Sequence, residues 1–223
     1  DPVLRLSKEG KLVFANLPSQ DLLSAWEIEV GAPLPEPYCQ MAVDVAKSGQ
    51  PVDVEATATE TIYALSFQPS EDGDIHVFGR DVTSFREARE RLNRMANFDR
   101  LTGLPNRNLF NDRLGQTVGQ AKRDESTVAV HLINIDNFAE VNKTLGLAAG
   151  DKILQEAAER LQLGIREPHT VARLGADEFA VIQIGPRSAN SVASLAQRLM
   201  DGLSDTYRVD GETVRVTSSA GIT

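Results

Sequence analysis

The chain has 223 residues, of which 41% are hydrophobic and 25% charged, a composition typical of a globular protein and not of a disordered or fibrous one. No apolar run is long enough to span a membrane, and no signal peptide opens the chain. A single cysteine, Cys39, excludes an internal disulfide framework and a multi-cysteine zinc site. Because the first residue is Asp and not Met, we expect the chain to be part of a longer protein.

Negative charge is concentrated in the first part of the chain, although the net charge of the whole is −9. Residues 1–85 contain 14 acidic and 5 basic side chains, whereas residues 86–223 contain 18 of each. An acidic surface repels the phosphate backbone of DNA and RNA, so we expect no nucleic-acid partner. The balanced second part leaves room for a small anionic nucleotide carried by a metal ion. The lone cysteine fits a reducing compartment, and we expect a cytoplasmic location.

Residues 1–83 are predicted to form an antiparallel sheet with short helices. Two strands near Val3 and Leu12 come first, and prolines then punctuate short helical pieces between residues 19 and 47. Three further strands are expected at 52–59, 62–68 and 74–80. This order, closed by the segment from Gly79 to Thr83 (GRDVT), resembles a PAS sensory domain, and the sequence does not indicate which ligand it would sense.

Three side chains of this first domain invite a functional interpretation. His76 alternates with apolar neighbours on the last strand, so we expect it to face away from the core and not to bind haem. Cys39 is predicted to be a buried structural thiol and not a flavin-reactive one. Trp26 is expected in the core.

Residues 84–97 are predicted to form a helix with one apolar stripe. Phe85, Ala88, Leu92 and Met95 are spaced three, four and three residues apart, and arginines and glutamates surround them. Such a stripe is typical of a packed linker helix or of a two-stranded coiled coil. We favour the coiled coil, which would make the protein a homodimer.

Residues 98–223 predict a second domain in which an opening helix precedes a β-α-α-β-β-α-β order. The expected elements are a helix at 108–122, a strand at 128–135, helices at 137–145 and 149–162, a hairpin at 170–184, a helix at 188–203 and a strand at 213–222. The pattern indicates an α+β fold with an antiparallel-centred sheet and helices on one face. If the first strand lies beside the hairpin, the polar side chains at its end and at the hairpin tip converge on one rim (Asn134, Asp136, Asp177 and Glu178).

Three segments carry a family resemblance. Residues 98–107 (FDRLTGLPNR), 134–138 (NIDNF) and 173–179 (RLGADEF) stand in the order and spacing of the GGDEF family, and the chain resembles its diguanylate cyclases. The resemblance implies a palm-like nucleotide-cyclase fold that joins two GTP molecules into cyclic di-GMP with magnesium. Since the family's domain usually continues with a further helix and strand, we expect residues 98–223 to be an incomplete domain.

The resemblance also assigns candidate roles to particular residues. It places the metal ligands at Asn134, the backbone carbonyl of Ile135, and Asp177. It places the catalytic carboxylates at Asp177 and Glu178, within the signature formed by Gly175, Ala176, Asp177, Glu178 and Phe179.

Three positions depart from the family pattern. Asn134 is neutral where the family has a carboxylate, which weakens magnesium binding, and Asp136 two residues later is a candidate to compensate. Ala176 replaces the second glycine, and we expect a strained left-handed backbone there, at a cost of about 1 kcal/mol. Ala139 replaces a lysine directed at the phosphates. Together these changes predict weakened GTP and Mg²⁺ binding and inefficient catalysis.

Other positions match residues that the family uses for ligands. Asn142 and Asp151 match the pair that hydrogen-bonds the guanine edge, and Phe138 belongs to the same nucleotide-binding set. Without the resemblance, Asn142 would be a helix-surface amide and Asp151 a helix cap. Arg166 matches the arginine of an inhibitory product site whose aspartate is replaced by His169, so we expect weak or absent binding of cyclic di-GMP there.

Three functions remain open on the sequence. The first is a regulatory module in which a PAS sensor controls a degenerate GGDEF domain that binds GTP, or that regulates a downstream phosphodiesterase domain of the EAL type. The second is an active diguanylate cyclase. The third is a dimerisation scaffold that binds no nucleotide. We favour the first.

Overall fold

The computed structural model describes residues 1–209 and 211–223. The chain divides into two compact units, residues Asp1–Arg91 and Leu92–Thr223. Each unit has its own cluster of buried apolar side chains, so each unit has its own hydrophobic core. In the part of the chain that the structure describes, no helix is long and apolar enough to cross a bilayer.

The first unit is a five-stranded antiparallel sheet with two helices. Its strands are β1 (Val3–Leu6), β2 (Leu12–Ala15), β3 (Val52–Ala58), β4 (Thr61–Pro69) and β5 (Ile75–Asp81), and its helices are α1 (Gln20–Trp26) and α2 (Tyr38–Ser48). The strand order is β2-β1-β5-β4-β3, so the first and last strands of the unit, β1 and β5, pair with each other and β5 is the central strand. The five strands predicted from alternation and turn residues are present.

Alternation along β5 decides which side chains of the first unit reach its core. Ile75 and Val77 are fully buried, whereas His76 between them is partly exposed and lies edge-on to Phe78. Trp26 is partly buried and packs against Tyr38, with ring centroids 4.9 Å apart. The expectation of a buried Cys39 is wrong, because this free thiol is only half-buried, at the edge of the core and close against Gly10.

Helix α3 (Thr83–Asn97) follows the first sheet, and none of its residues is buried. The apolar stripe predicted from sequence is therefore exposed to solvent, with Phe85 66%, Leu92 65% and Met95 46% exposed. Large apolar side chains in one row on an uncovered helix are typical of a surface that packs against another helix.

The second unit is built on a four-stranded antiparallel sheet. Its elements are α4 (Arg107–Arg123), β6 (Val128–Ile135), α5 (Phe138–Leu145), α6 (Leu147–Gly164), β7 (Thr170–Gly175), β8 (Glu178–Ile184), α7 (Ala189–Leu203), β9 (Thr206–Val209), β10 (Glu212–Arg215) and β11 (Ser218–Ile222). The order in the sheet is β11-β6-β8-β7, while β9 and β10 pair in a separate two-stranded sheet.

Helices cover both faces of this sheet, which corrects the expectation of helices on one face. Ile133 and Phe179 pack into the main core with α6 and α7. Ala180 and Ile182, which alternate with the core residues along β8, pack on the other face against Phe110 of α4. The strands are apolar on both sides, and continuous apolar runs of this kind are buried on both faces.

The expectation of one closing strand at 213–222 is also wrong. The backbone leaves strand geometry after Arg215 and resumes it at Ser218, and β9 was not predicted. Tyr207 of β9 is fully buried, its hydroxyl donates to the Leu203 carbonyl at 2.9 Å, and Arg160 lies 4.0 Å above its ring. This anchor holds β9 and β10 against α6, away from the main sheet.

A salt bridge between distant segments fixes the β7–β8 hairpin. Arg173 at the end of β7 pairs with Asp99 at 2.8 Å, and the two side chains are only 11% and 25% exposed. Asp99 also accepts from the amide and hydroxyl of Thr102, and Arg173 donates to the Ala176 carbonyl at the hairpin tip. Although burial alone would raise the pKa of Asp99, the bonds from Thr102 and Arg173 hold that pKa below its usual value.

Replacing Arg173 by Ala should lower the free energy of unfolding by about 3 kcal/mol, because the partly buried Asp99 carboxylate loses its cation. Urea unfolding followed by circular dichroism measures this loss. The exposed Arg187→Ala is the matched control and should change stability by less than about 0.5 kcal/mol.

The same variant should also lose part of its acid sensitivity. A carboxylate whose pKa is depressed in the folded state stabilises the fold above its unfolded pKa, and that stability disappears as the pH falls through the folded pKa. Arg173→Ala removes part of the depression and should flatten the stability curve below about pH 4. A loss of less than about 1 kcal/mol at neutral pH would show that the bridge does not hold the hairpin.

Candidate functional site

The end of β6 and the tip of the β7–β8 hairpin form one polar rim. The antiparallel register sets Asn134 directly across from Glu178, and the Ile135 amide donates to the Asp177 carbonyl at 3.2 Å. The structure therefore brings four of the sequence-predicted site residues together. Phe179, the last residue of the signature, is fully buried and anchors the rim to the main core.

The hairpin tip is a two-residue turn at Ala176 and Asp177, between Gly175 and Glu178, which pair with each other. Ala176 is exposed and its φ is not positive, so the expected left-handed strain at this position is wrong. A Cβ at Gly175 would meet nothing closer than the Arg107 guanidinium, at 4.0 Å. The backbone at position 176 therefore does not require glycine, and Ala176 differs from a glycine here only in the space that its methyl group takes.

Glu178 is not a free carboxylate. Arg107, the first residue of α4, donates to its Oε2 at 3.1 Å and also to the Leu174 carbonyl at 3.0 Å. Both side chains of the ion pair are more than half exposed, so the interaction is worth less than about 1 kcal/mol. They line a groove of about 470 Å³ together with Asn134 and Ser219.

Asp136 does not join the rim, which corrects the expectation that it compensates for Asn134. Its carboxylate accepts from the hydroxyls of Thr217 and Ser219, each at 2.7 Å. These two bonds hold the pKa of Asp136 below its usual range. The Asp136 side chain is thus bonded to Thr217 and Ser219, and it does not line the groove beside Asn134.

The donor set at the rim does not fit a resident magnesium ion. It offers the neutral amide of Asn134, a backbone carbonyl and the carboxylate of Asp177, while Glu178 is already paired with a guanidinium. Within residues 1–209 and 211–223, no three His, Cys, Asp or Glu side chains gather as metal ligands. Magnesium is usually held by one or two carboxylates together with waters and substrate phosphates, and at this rim Asp177 is the one carboxylate that is not paired within the described residues.

The predicted purine-binding residues lie on α5 and α6, and a glycine of α6 lies against two of them. A Cβ on Gly150 would overlap the side-chain oxygen of Asn142 and lie 3.1 Å from the Phe138 ring. The missing side chain therefore makes the space in which the Asn142 amide lies. Asp151 follows directly and is exposed on α6. An amide and a carboxylate on neighbouring helices can accept from and donate to the edge of a purine.

Ala139 and the predicted inhibitory residues offer no strong ligand groups. Ala139 is exposed on α5 and carries no charge. His169 turns inward, since its Nδ1 accepts from the Ile184 amide at 3.3 Å, while Arg166 is exposed and contributes its carbonyl to the same turn. Burial lowers the pKa of His169 and the charge of Arg198 lowers it further, so the ring is not a cation at neutral pH.

Sequence reasoning missed four residues that shape the site. Asp99 and Arg173 fix the hairpin, Arg107 pairs with Glu178, and Gly150 makes room for Asn142. Asp99, Arg173 and Arg107 lie within the sequence segments that carry the family resemblance, so those segments were a signal that could have identified them. Their pairing spans 74 and 71 residues of sequence, and spacing alone does not show such contacts.

Comparison with known proteins places this geometry in a family. A family model described as diguanylate cyclase, GGDEF domain, matches residues 96–223. The bifunctional diguanylate cyclase/cyclic di-GMP phosphodiesterase MucR of Pseudomonas aeruginosa is 41% identical over 141 residues, 63% of this chain and 20% of MucR. Diguanylate cyclase TpbB of the same species is 38% identical over 132 residues, 59% of this chain and 30% of TpbB. The chain thus spans less than a third of the length of either relative.

Solved structures agree with this assignment. The GGDEF domain of TpbB superimposes with a TM-score of 0.55 at 38% identity, covering 56% of this chain and 73% of that one. The coiled coil and GGDEF domain of DgcB from Caulobacter crescentus, solved with cyclic di-GMP, superimposes with a TM-score of 0.58 at 28% identity, covering 63% and 75%. The chain therefore belongs to the GGDEF family of cyclic di-GMP signalling proteins.

Proposed function

We propose that this chain is the regulatory part of a cyclic di-GMP signalling protein, in which the GGDEF domain recognises GTP but condenses it inefficiently. The observation that carries the proposal is the position of Asn134. It stands at the strand end across from Glu178, where the family uses an anionic metal ligand, and Asp136 does not replace the missing charge. Without that anion, the charge that develops on the phosphates during condensation is poorly neutralised.

Recognition of the purine rests on groups that this chain retains. Asn142 lies in the space left by Gly150, beside the Phe138 ring, and Asp151 is exposed one residue further on. These groups are carried by α5 and α6 and not by the rim. GTP can therefore be held by its base even when the metal site is weak. The scaffold alternative requires that GTP does not bind at all.

An active diguanylate cyclase is the second candidate, and three findings favour it. Ala176 is not strained, so one of the three departures from the family pattern imposes no backbone penalty. Asp177 is retained, and its side chain bonds to no other group in the part of the chain that the structure describes. Several relatives, TpbB among them, are named as diguanylate cyclases.

The first unit fits a PAS sensor that acts on the GGDEF domain through α3. Support comes from the strand order β2-β1-β5-β4-β3, with the helices inserted between β2 and β3, and from the segment at Gly79–Thr83 that leads into α3. The exposed stripe of α3 fits a parallel coiled coil with a second copy, and the DgcB structure contains a coiled coil joined to its GGDEF domain. These elements would pass a signal from sensor to output.

The longer protein is proposed to carry a phosphodiesterase of the EAL type and to act in the cytoplasm. MucR is named as both cyclase and phosphodiesterase, and this chain covers 20% of its length. A nucleotide-binding domain joined to a phosphodiesterase can control it by the free energy of nucleotide binding.

Purified protein incubated with GTP and Mg²⁺ should form little cyclic di-GMP, whereas Asn134→Asp combined with Ala139→Lys should raise turnover on the order of 100-fold. The two substitutions restore an anionic metal ligand and a cation directed at the phosphates. Product is measured by liquid chromatography.

Ala176→Gly is the contrasting variant: because Ala176 is unstrained, this change frees only the space of one methyl group and should raise turnover far less than the pair does. Appreciable formation of cyclic di-GMP by the unmodified protein would contradict the proposal and favour the active cyclase.

Replacing Gly150 by Ala should weaken GTP binding roughly tenfold in calorimetry without magnesium, because the new methyl group displaces the Asn142 amide. Gly115→Ala on α4, where no atom lies within 4 Å of the added carbon, is the matched control and should bind normally.

The double variant Asn142→Ala, Gly150→Ala removes the clash and should fold normally while binding no worse than Asn142→Ala alone. Unchanged affinity in Gly150→Ala would show that Asn142 does not contact the base. A wild-type protein with no measurable affinity for GTP would favour the scaffold.

Replacing Leu92 by Glu should convert a dimer into a monomer, because a charge in the centre of the α3 stripe cannot be buried between two helices. Sedimentation velocity at tens of micromolar measures the change. Glu90→Gln, at an exposed polar position of the same helix, should leave the dimer intact. A wild-type monomer at these concentrations would contradict the coiled coil.

A further inference from the structure

At the corner between β6 and α5, Asp136 is bonded to Thr217 and Ser219 at the start of β11. The Asp136 amide donates to the Thr217 carbonyl at 2.9 Å, and its carboxylate accepts from the hydroxyls of Thr217 and Ser219, both at 2.7 Å. Three hydrogen bonds therefore join this residue to the start of β11. Two of them involve a charged acceptor, which makes them stronger than bonds between neutral groups.

This corner is a place where the backbone needs external support. Asn137, the next residue, has a left-handed backbone with φ of 55° and makes no side-chain cap for α5. Asn adopts that conformation more readily than other non-glycine residues, and neighbouring contacts hold it there. On the other side of Asp136, the Ile135 amide is bonded to the hairpin at Asp177. Asp136 is thus the residue from which the chain turns out of the sheet into α5.

The direction of α5 decides where the purine-binding groups lie. Phe138 stands two residues after Asp136 and is buried, and Asn142 follows one turn later against Gly150. If the bonds at this corner are lost, the start of α5 is held less firmly, and Asn142 one turn later is placed less precisely against Gly150.

We infer that Asp136 is a positioning residue, which fixes α5 and its purine-binding side chains through Thr217 and Ser219 and does not act as a metal ligand. The effect on nucleotide binding rests on the proposed function, whereas the effect on α5 does not. The carboxylate that the sequence offered as a substitute metal ligand instead positions the helix that carries the purine-binding side chains.

Hydrogen exchange of the nucleotide-free protein, followed by mass spectrometry, tests the mechanical part. Asp136→Ala and the pair Thr217→Val, Ser219→Ala should each accelerate exchange in residues 138–145 roughly tenfold, and α7 should be unaffected. The triple variant should be no faster than Asp136→Ala, because both changes remove the same bonds. Asp201→Ala, an exposed aspartate on α7, is the control. Unchanged exchange in residues 138–145 would overturn the inference.

GTP and ATP titrations with and without Mg²⁺ test the functional part. Asp136→Ala should weaken GTP binding roughly tenfold to the same extent in both conditions, and the preference for GTP over ATP should shrink. A loss seen only with Mg²⁺ would identify Asp136 as a metal ligand and overturn the inference. If Asp136→Ala does not fold, Asp136→Asn, which keeps the size of the side chain, replaces it in both measurements. A wild-type protein that does not bind GTP would defeat the proposed function, and the exchange result would still decide the role of Asp136.

Discussion

The pairing of β6 with β8 is the constraint on which the candidate site depends. Their register sets Asn134 across from Glu178. Because side chains alternate along a strand, a slip of one residue would turn Asn134 into the core and expose Ile133 and Ile135, which are now buried. Burying those two side chains and Phe179 is worth several kcal/mol, far more than the polar contacts at the rim. The apolar core therefore decides where the polar residues of the site lie.

The negative charge available at the rim depends on which side chains the folded domain places beside each carboxylate. Of the carboxylates expected there, Asp136 is bonded to two hydroxyls and Glu178 to the Arg107 guanidinium. Asp177 alone has no partner within the described residues. A divalent cation is bound through anionic oxygens, so the neutral Asn134 directly weakens the binding of such a cation at the rim. The rim of this domain therefore has less negative charge than the family pattern would give it.

Much of this arrangement could be predicted from the sequence, and the rest depends on contacts that a sequence does not display. Alternation and turn residues located the hairpin, and the GADEF segment marked its tip. Three of the failed expectations concern the second unit's strands and site: Tyr207 holds β9 and β10 away from the sheet, Thr217 and Ser219 bond to Asp136, and the turn accommodates Ala176 without a positive φ. Each depends on a partner many residues away or on a dihedral angle.

In the proposed function, base recognition and phosphate chemistry rest on separate elements of this domain, and that separation makes the proposal physically coherent. The amide of Asn142 lies against Gly150 on α6, whereas the expected metal ligands lie at a strand end and a hairpin tip. The absence of a carboxylate at position 134 changes the electrostatic potential at the phosphates. It leaves the packing between α5 and α6 unchanged. Because only interactions that strengthen in the transition state accelerate condensation, affinity for GTP and turnover can be lost independently. A domain can therefore keep the free energy of nucleotide binding as a signal after the reaction itself has become slow.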